Sequence, residues 1–101
     1  MNKSLEVFIT ESAQNDIINI AEYIAKDNKI VAINIIDTFS KSFELLANYP
    51  ETGSTKSELI DKTIRIYSVK KNFTICYRIN QDRIEILRIL TRYQNIFAVL
   101  I

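Results

Sequence analysis

Apolar and polar positions change their period several times along this chain, and each change marks an element. Leu5, Val7 and Ile9 take every second position, the period of a strand. The run stops at Thr10-Glu11-Ser12, where hydroxyls and an acid suit the first turn of a helix. Ile17, Ile20, Ala21 and Ile24 then recur at helical spacing, with Asn15, Asp16, Asn19, Glu22 and Lys26 on much of the remaining surface. That spacing predicts an amphipathic helix over about residues 11–27. After the polar break Asp27-Asn28-Lys29, the residues Ala32, Ile36, Phe39, Phe43 and Leu46 mark one face of a second helix. Pro50 must end it, because its ring cannot continue the hydrogen-bond ladder. Two helices joined by so few residues predict an antiparallel hairpin.

The only proline and the only glycine fall together in Tyr49–Thr55, where a turn is expected. Three strand-like runs follow, Thr63–Val69, Phe73–Ile79 and Ile84–Leu90, and their short connections force neighbours to run antiparallel. In the middle run Phe73, Ile75, Tyr77 and Ile79 share the face assigned to the core, with Thr74, Cys76 and Arg78 opposite. The order β-α-α-β-β-β predicts an α+β fold, one curved antiparallel sheet with the helix hairpin on one face. The other face is expected to be open to a partner or substrate. The tail from Arg92 to Ile101 ends in an apolar run that needs covering, by this domain or by another chain.

Composition sets bounds on this picture. With 101 residues, 48% of them apolar and 25% charged, the chain has material for one core, so residues 1–101 are read as a single domain. No apolar stretch approaches the roughly 18 residues of a membrane span, and Met1-Asn2-Lys3-Ser4 runs into the first strand without a signal-peptide core, so a cytoplasmic protein with no membrane partner is expected. Cys76, the single cysteine, sits in an apolar alternating run and is read as packing; it has no intrachain partner for a disulfide. There is no histidine, which removes the usual proton shuttle and the commonest metal ligand and excludes Ser-His and Cys-His nucleophile pairs. No cofactor and no metal are expected.

Net charge changes the picture only when the chain is divided. Residues 1–50 carry four lysines against seven acids, a balance of −3, whereas residues 51–101 carry nine cations against five acids, a balance of +4. Such asymmetry suggests that the second half meets an anionic partner, nucleic acid or an acidic protein segment. Arg65, Arg78 and Arg88 fall one on each of the three later strands, where planar guanidinium groups could bind phosphate or carboxylate; solvated strand charge is the plain alternative. Asp16 and Tyr23, seven apart, share a helix face and are read as structural, the acid supporting the helix dipole and the tyrosine packing with a wet hydroxyl.

Several of these residues, in this order and spacing, resemble the RelE/ParE superfamily of type II toxin-antitoxin toxins over nearly the whole chain. The resemblance is carried by Ala13, Asp16, Ile20 and Tyr23-Ile24; by Ala32, Phe39 and Leu46 with Tyr49-Pro50 and Gly53; and by Arg65, Ile75, Tyr77-Arg78 and Ile86-Leu87-Arg88-Ile89-Leu90. The long helix hairpin and the Pro-Gly landmark are closer to the ParE-like, or plasmid stabilisation, branch. That branch implies a non-enzymatic inhibitor of DNA gyrase, neutralised by a cognate antitoxin whose partly acidic segment would meet Arg65, Arg78, Arg88, Arg92 and Tyr93.

The RelE-like branch implies a different activity, metal-independent cleavage of mRNA on the ribosome, which needs a base, an acid and cations around the phosphate. Its candidate residues here would be Arg65, Tyr67, Arg92 and Tyr93. The lysine pair of that branch aligns with Arg65 and Tyr67, and its arginine after the aromatic of the next strand aligns with Thr74. Thr91-Arg92-Tyr93-Gln94-Asn95 lacks the histidine and consecutive arginines common in ParE-like chains. A non-toxic module that only binds antitoxin is the third reading.

Overall fold

Thr10 ends the first strand and starts the first helix. In the computed structural model, which describes residues 4–100, strand β1 (Glu6–Ile9) gives way at Thr10 to helix α1 (Glu11–Ala25). The Thr10 hydroxyl accepts a hydrogen bond from the Ala13 amide at 3.2 Å, satisfying one donor that the helix itself cannot. Asn28 repeats the device for α2 (Lys29–Asn48), accepting from the Val31 amide at 3.1 Å. Then follow β2 (Ser54–Thr55), β3 (Arg65–Val69), β4 (Phe73–Asn80), β5 (Arg83–Thr91) and a last turn of helix, α3 (Ile96–Val99). The expectations for Met1 to Lys3 and for Ile101 fall outside the described residues.

The strands form one sheet in the order β1-β5-β4-β3-β2. The α+β order is as expected, and the three long strands are antiparallel. Two features differ. The short β2 extends the sheet beyond β3, and β1 pairs with β5 in parallel, so the sheet is mixed. The direction of β1 follows from the hairpin. Leu5, just before β1, donates to the carbonyl of Ala47 near the end of α2, so α2 returns the chain to the end where β1 began. Strands β3, β4 and β5 then run out, back and out, which gives β5 the direction of β1.

The helices cover one sheet face. Phe39, Phe43, Leu46, Ile75, Tyr77, Ile84, Ile86 and Ile89 are buried there, with Phe39 and Phe73 packed edge to face at 5.3 Å between ring centroids. Each fully buried aliphatic side chain contributes about 1.5–3 kcal/mol. On α2 the buried position is Ile35, whereas Ile36 is exposed; Ile79, at the end of β4, is half-exposed.

The second face is not open, as the sequence pattern suggested, but partly roofed. Leu59 and Ile64 of the loop before β3 pack with Cys76, Leu90 and the tail residues Ile96, Val99 and Leu100. Part of the apolar tail is thus covered by its own domain, with Phe97 left 41% exposed, and burial pushes the Cys76 thiol up to about 12, leaving it a packing group. Among the described residues no helix is long and apolar enough to cross a membrane.

Candidate functional site

Most of the arginines singled out from the sequence are engaged inside the molecule. Arg65 donates through one guanidinium nitrogen to the Gly53 carbonyl at 2.7 Å and to the Glu51 carbonyl at 3.4 Å, pinning the turn after α2. Tyr67 lies against the helix-side core. Arg78 donates to Glu85 at 2.8 Å and Asp61 at 3.3 Å, and Arg83 and Asn80 complete the shell around the same Glu85 carboxylate at 2.7 and 3.2 Å. Hydrogen bonds from Arg78, Arg83 and Asn80 hold the Glu85 carboxyl down to about 2, against a usual 4.5.

Arg88 forms a two-pronged pair with Asp16 of α1, 2.7 and 2.9 Å, and a third bond to the Asp16 carboxylate comes from the Ile89 amide at 2.9 Å. Asp16 is therefore not a dipole support for its own helix. It takes the place of a strand partner along the part of β5 that β1 does not reach. The Thr10 hydroxyl lies beside the Ile86 and Leu87 carbonyls at 2.9 and 3.0 Å in the same stretch. A bulge between Cys76 and Tyr77 shifts the β4-β5 register there.

Arg92 and Tyr93 behave differently. Both are exposed, the Arg92 guanidinium stacks over the Tyr93 ring at 4.9 Å, and it donates to the Tyr93 hydroxyl at 2.7 Å. They follow β5, whose last residue Thr91 is level with Phe73 and Val69, while Arg65 lies at the opposite end of β3, level with Tyr77. Four residues of strand separate the two levels, roughly 13 Å. The residues named for RNA cleavage are therefore not brought together.

What Arg92 and Tyr93 do border is a groove of about 890 Å³ at this end of the sheet. Its walls come from the C-terminal half of α1, the N-terminal half of α2, the β3-β4 turn and the segment after β5. Val31, Ile24 and Phe73 supply accessible apolar surface over the buried Ile20, Ile35 and Ile89, while Tyr23, Lys70 and Asn72 add polar groups. Tyr23 is not packed: 73% of it is exposed.

The family model for the ParE toxin of type II toxin-antitoxin systems, parDE, matches residues 7–96. The chain belongs to the ParE toxin family. The fold is shared with solved structures at low sequence identity. The chromosomal ParDE toxin-antitoxin system from P. aeruginosa aligns with a TM-score of 0.72 and 20% identity, over 87% of this chain and 96% of that one. The toxin-antitoxin complex RelBE2 from Mycobacterium tuberculosis aligns at 0.61 and 16%, over 93% and 100%. A conserved hypothetical protein from Helicobacter pylori aligns at 0.61 and 17%, over 89% and 97%. The search of curated proteins found no match.

In this ParE-family chain, sequence reasoning missed the groove because its walls come from four separate elements. Lys70 is not among the residues that the sequence singled out. The turn itself was the available signal: Lys70-Lys71-Asn72 joins β3 to β4 at the end where β5 finishes, and the Arg92 amide donates to the Asn72 carbonyl at 2.9 Å. The internal partners of Arg65, Arg78 and Arg88 were not legible, since Asp16 lies 72 positions from Arg88 and Gly53 lies 12 from Arg65.

Proposed function

We propose that this ParE-family toxin acts without catalysis, by binding DNA gyrase in the cytoplasm and blocking its reaction, and that a cognate antitoxin neutralises it. The observation that supports this reading over mRNA cleavage is the separation of Arg65 from Arg92 and Tyr93 by roughly 13 Å of strand, with Arg65 spent on backbone carbonyls. Attack of a ribose 2′-hydroxyl on the phosphate, with loss of the 5′-oxygen, needs base, acid and cation around that one phosphate, and one phosphate cannot span those two ends. The family and the helix hairpin add support, though family membership alone carries no site.

The test is controlled expression in bacteria with and without the neighbouring reading frame, together with supercoiling and cleavage assays on purified gyrase. The expected result is growth arrest relieved by the neighbour, inhibited supercoiling, and intact mRNA on translating ribosomes. Codon-positioned mRNA cuts that disappear on Tyr93→Phe or Arg65→Ala would transfer the protein to the ribonuclease reading. Absence of arrest at verified expression would leave only an antitoxin-binding module.

A further inference from the structure

The charge asymmetry between the two halves of the sequence becomes, in the folded chain, an asymmetry between two ends of the molecule. Helix α1 runs past the end of the sheet. Asp16 lies beside Ile89, just before β5 finishes at Thr91, and the rest of α1 adds roughly 15 Å of helix before Lys26. Lys26 therefore stands at the overhanging tip of the hairpin, with Lys29 opening α2 beside it in the chain. The Lys70-Lys71 turn between β3 and β4 and Arg92 after β5 lie at the same end, since Ile24, Val31, Lys70 and Arg92 border one groove. Lys26, Lys29, Lys70, Lys71 and Arg92 are all exposed, and none forms an ion pair among the described residues.

Little negative charge offsets them there. Glu22 and Asp27 are the acids of the hairpin tip, and Asp16 is already matched by Arg88. At the other end of the sheet the Glu6 amide meets the Asp82 carbonyl and Arg65 holds the Glu51 carbonyl, so these three acids lie far from the tip. The molecule is electrically polar, and its cationic end is the one that a polyanion approaches first.

The arrangement of the cations narrows the polyanion. They come from three separate elements, so a partner that meets all of them must repeat its charge along a broad front. Four of the five are lysines, compact charges on flexible stems that meet phosphate oxygens without a fixed geometry. Lys70 and Lys71 hold φ values of 51° and 64°, a left-handed turn that favours glycine or asparagine, yet both positions carry charge. Duplex DNA presents one negative charge per about 1.7 Å of its axis, a density and regularity that fit such a front. A single strand would look for free aromatic faces on which to stack its bases, and the Arg92 guanidinium already covers one face of Tyr93 at 4.9 Å.

We infer that this cationic end lies against the phosphate backbone of duplex DNA, with Lys26, Lys29, Lys70, Lys71 and Arg92 on phosphate oxygens and no reading of base sequence. The inference rests on the proposed function only in naming the duplex that gyrase holds as the one met in the cell. Binding to free duplex is measured without gyrase, so the two readings fail separately. Gyrase inhibition without duplex binding would overturn the inference and leave the proposed function standing. Duplex binding without gyrase inhibition would do the reverse.

The probe is a short dye-labelled DNA duplex, used in two unrelated sequences, and fluorescence polarisation measures its affinity for the full chain over a salt series. Both duplexes are expected to bind alike, and more weakly as salt rises. On logarithmic axes each phosphate contact contributes about 0.9 to the salt slope, so Lys26→Gln/Lys70→Gln is expected to make the slope shallower by nearly 2. Its affinity at low salt is expected to fall at least about tenfold. The Lys56→Gln/Lys62→Gln variant carries the same change in net charge on the loop before β3 and is expected to keep the wild-type slope. Circular dichroism checks that both variants are folded.

Equal changes in the two variants would overturn the inference in favour of diffuse attraction. No binding at low salt would overturn the site, and a preference for one duplex sequence would overturn the backbone reading. Tighter binding of a single-stranded RNA oligonucleotide, lost in the Lys26→Gln/Lys70→Gln variant, would give this end to RNA instead of duplex DNA.

Discussion

A single hydroxyl fastens the turn after α2 to the sheet. Tyr77 is fully buried; its hydroxyl donates to the Pro50 carbonyl at 2.7 Å and accepts from the Gly53 amide at 2.8 Å. A Cβ on Gly53 would stand 2.6 Å from that hydroxyl oxygen and 2.8 Å from the Ile66 carbonyl oxygen, so glycine is needed here for close approach rather than for a left-handed φ. Tyr77→Phe leaves both backbone groups without this partner and is expected to cost about 1–3 kcal/mol, with Gly53→Ala in the same range through overpacking. Thermal melts check both, and unchanged midpoints would remove the hydroxyl from the account of this turn. Glu85 supplies a pH dependence. Its carboxyl is depressed to about 2 in the fold against 4.5 ordinarily, so between those values the unfolded chain binds the proton more readily. Its contribution is present above about pH 4.5 and is lost as pH falls through about 2. Glu85→Gln is expected to flatten that part of the acid-unfolding curve; an identical acid limb in the variant would contradict the assignment.

At the scale of elements, the junction between α1 and β5 deserves its own test, because β1 is too short to cover the whole β5 edge. Its pairing stops at Ile9 with Ile86, and the edge beyond is closed by the Thr10 hydroxyl and the Asp16 carboxylate. Asp16→Ala leaves the Ile89 amide and Arg88 unmatched. The pair is partly exposed, 28% for Arg88 and 13% for Asp16, and water can reclaim some of the loss, so about 2 kcal/mol is expected rather than the cost of a fully buried pair. Urea unfolding should show a lower midpoint at unchanged slope. A wild-type midpoint would mean that the salt bridge and the strand-like amide bond add nothing net. Much of the element order was legible from periodicity: β1, both helices and the three long strands lie where the apolar spacing put them. The two residues of β2 were not, because a strand that short has no period to read.

For the molecule as a whole, the second sheet face decides how a partner can approach. The tail and the loop before β3 roof it over Cys76 and Leu90, so the exposed chemistry is displaced to the groove at the end of the sheet. A chain stopped after Gln94 lacks Ile96, Val99 and Leu100. It is expected to bind a hydrophobic dye such as ANS, to melt at lower temperature, and to expose Cys76 to thiol reagents that the full chain resists. Full-chain behaviour on all three measures would show that the roof is dispensable.

The sequence by itself determined what depends on neighbours in the chain: helical and strand periods, the caps at Thr10 and Asn28, the turn at Pro50-Gly53, and, through their order, the family. It also held the charge asymmetry that suggested an anionic partner. Only the tertiary structure decided which cations are free to meet one. Arg88 and Asp16 are 72 positions apart, and the four walls of the groove come from separate stretches of chain. Whether a side chain is spent or available depends on the oxygens within about 3 Å of it, and that distance is set by packing, not by order along the chain.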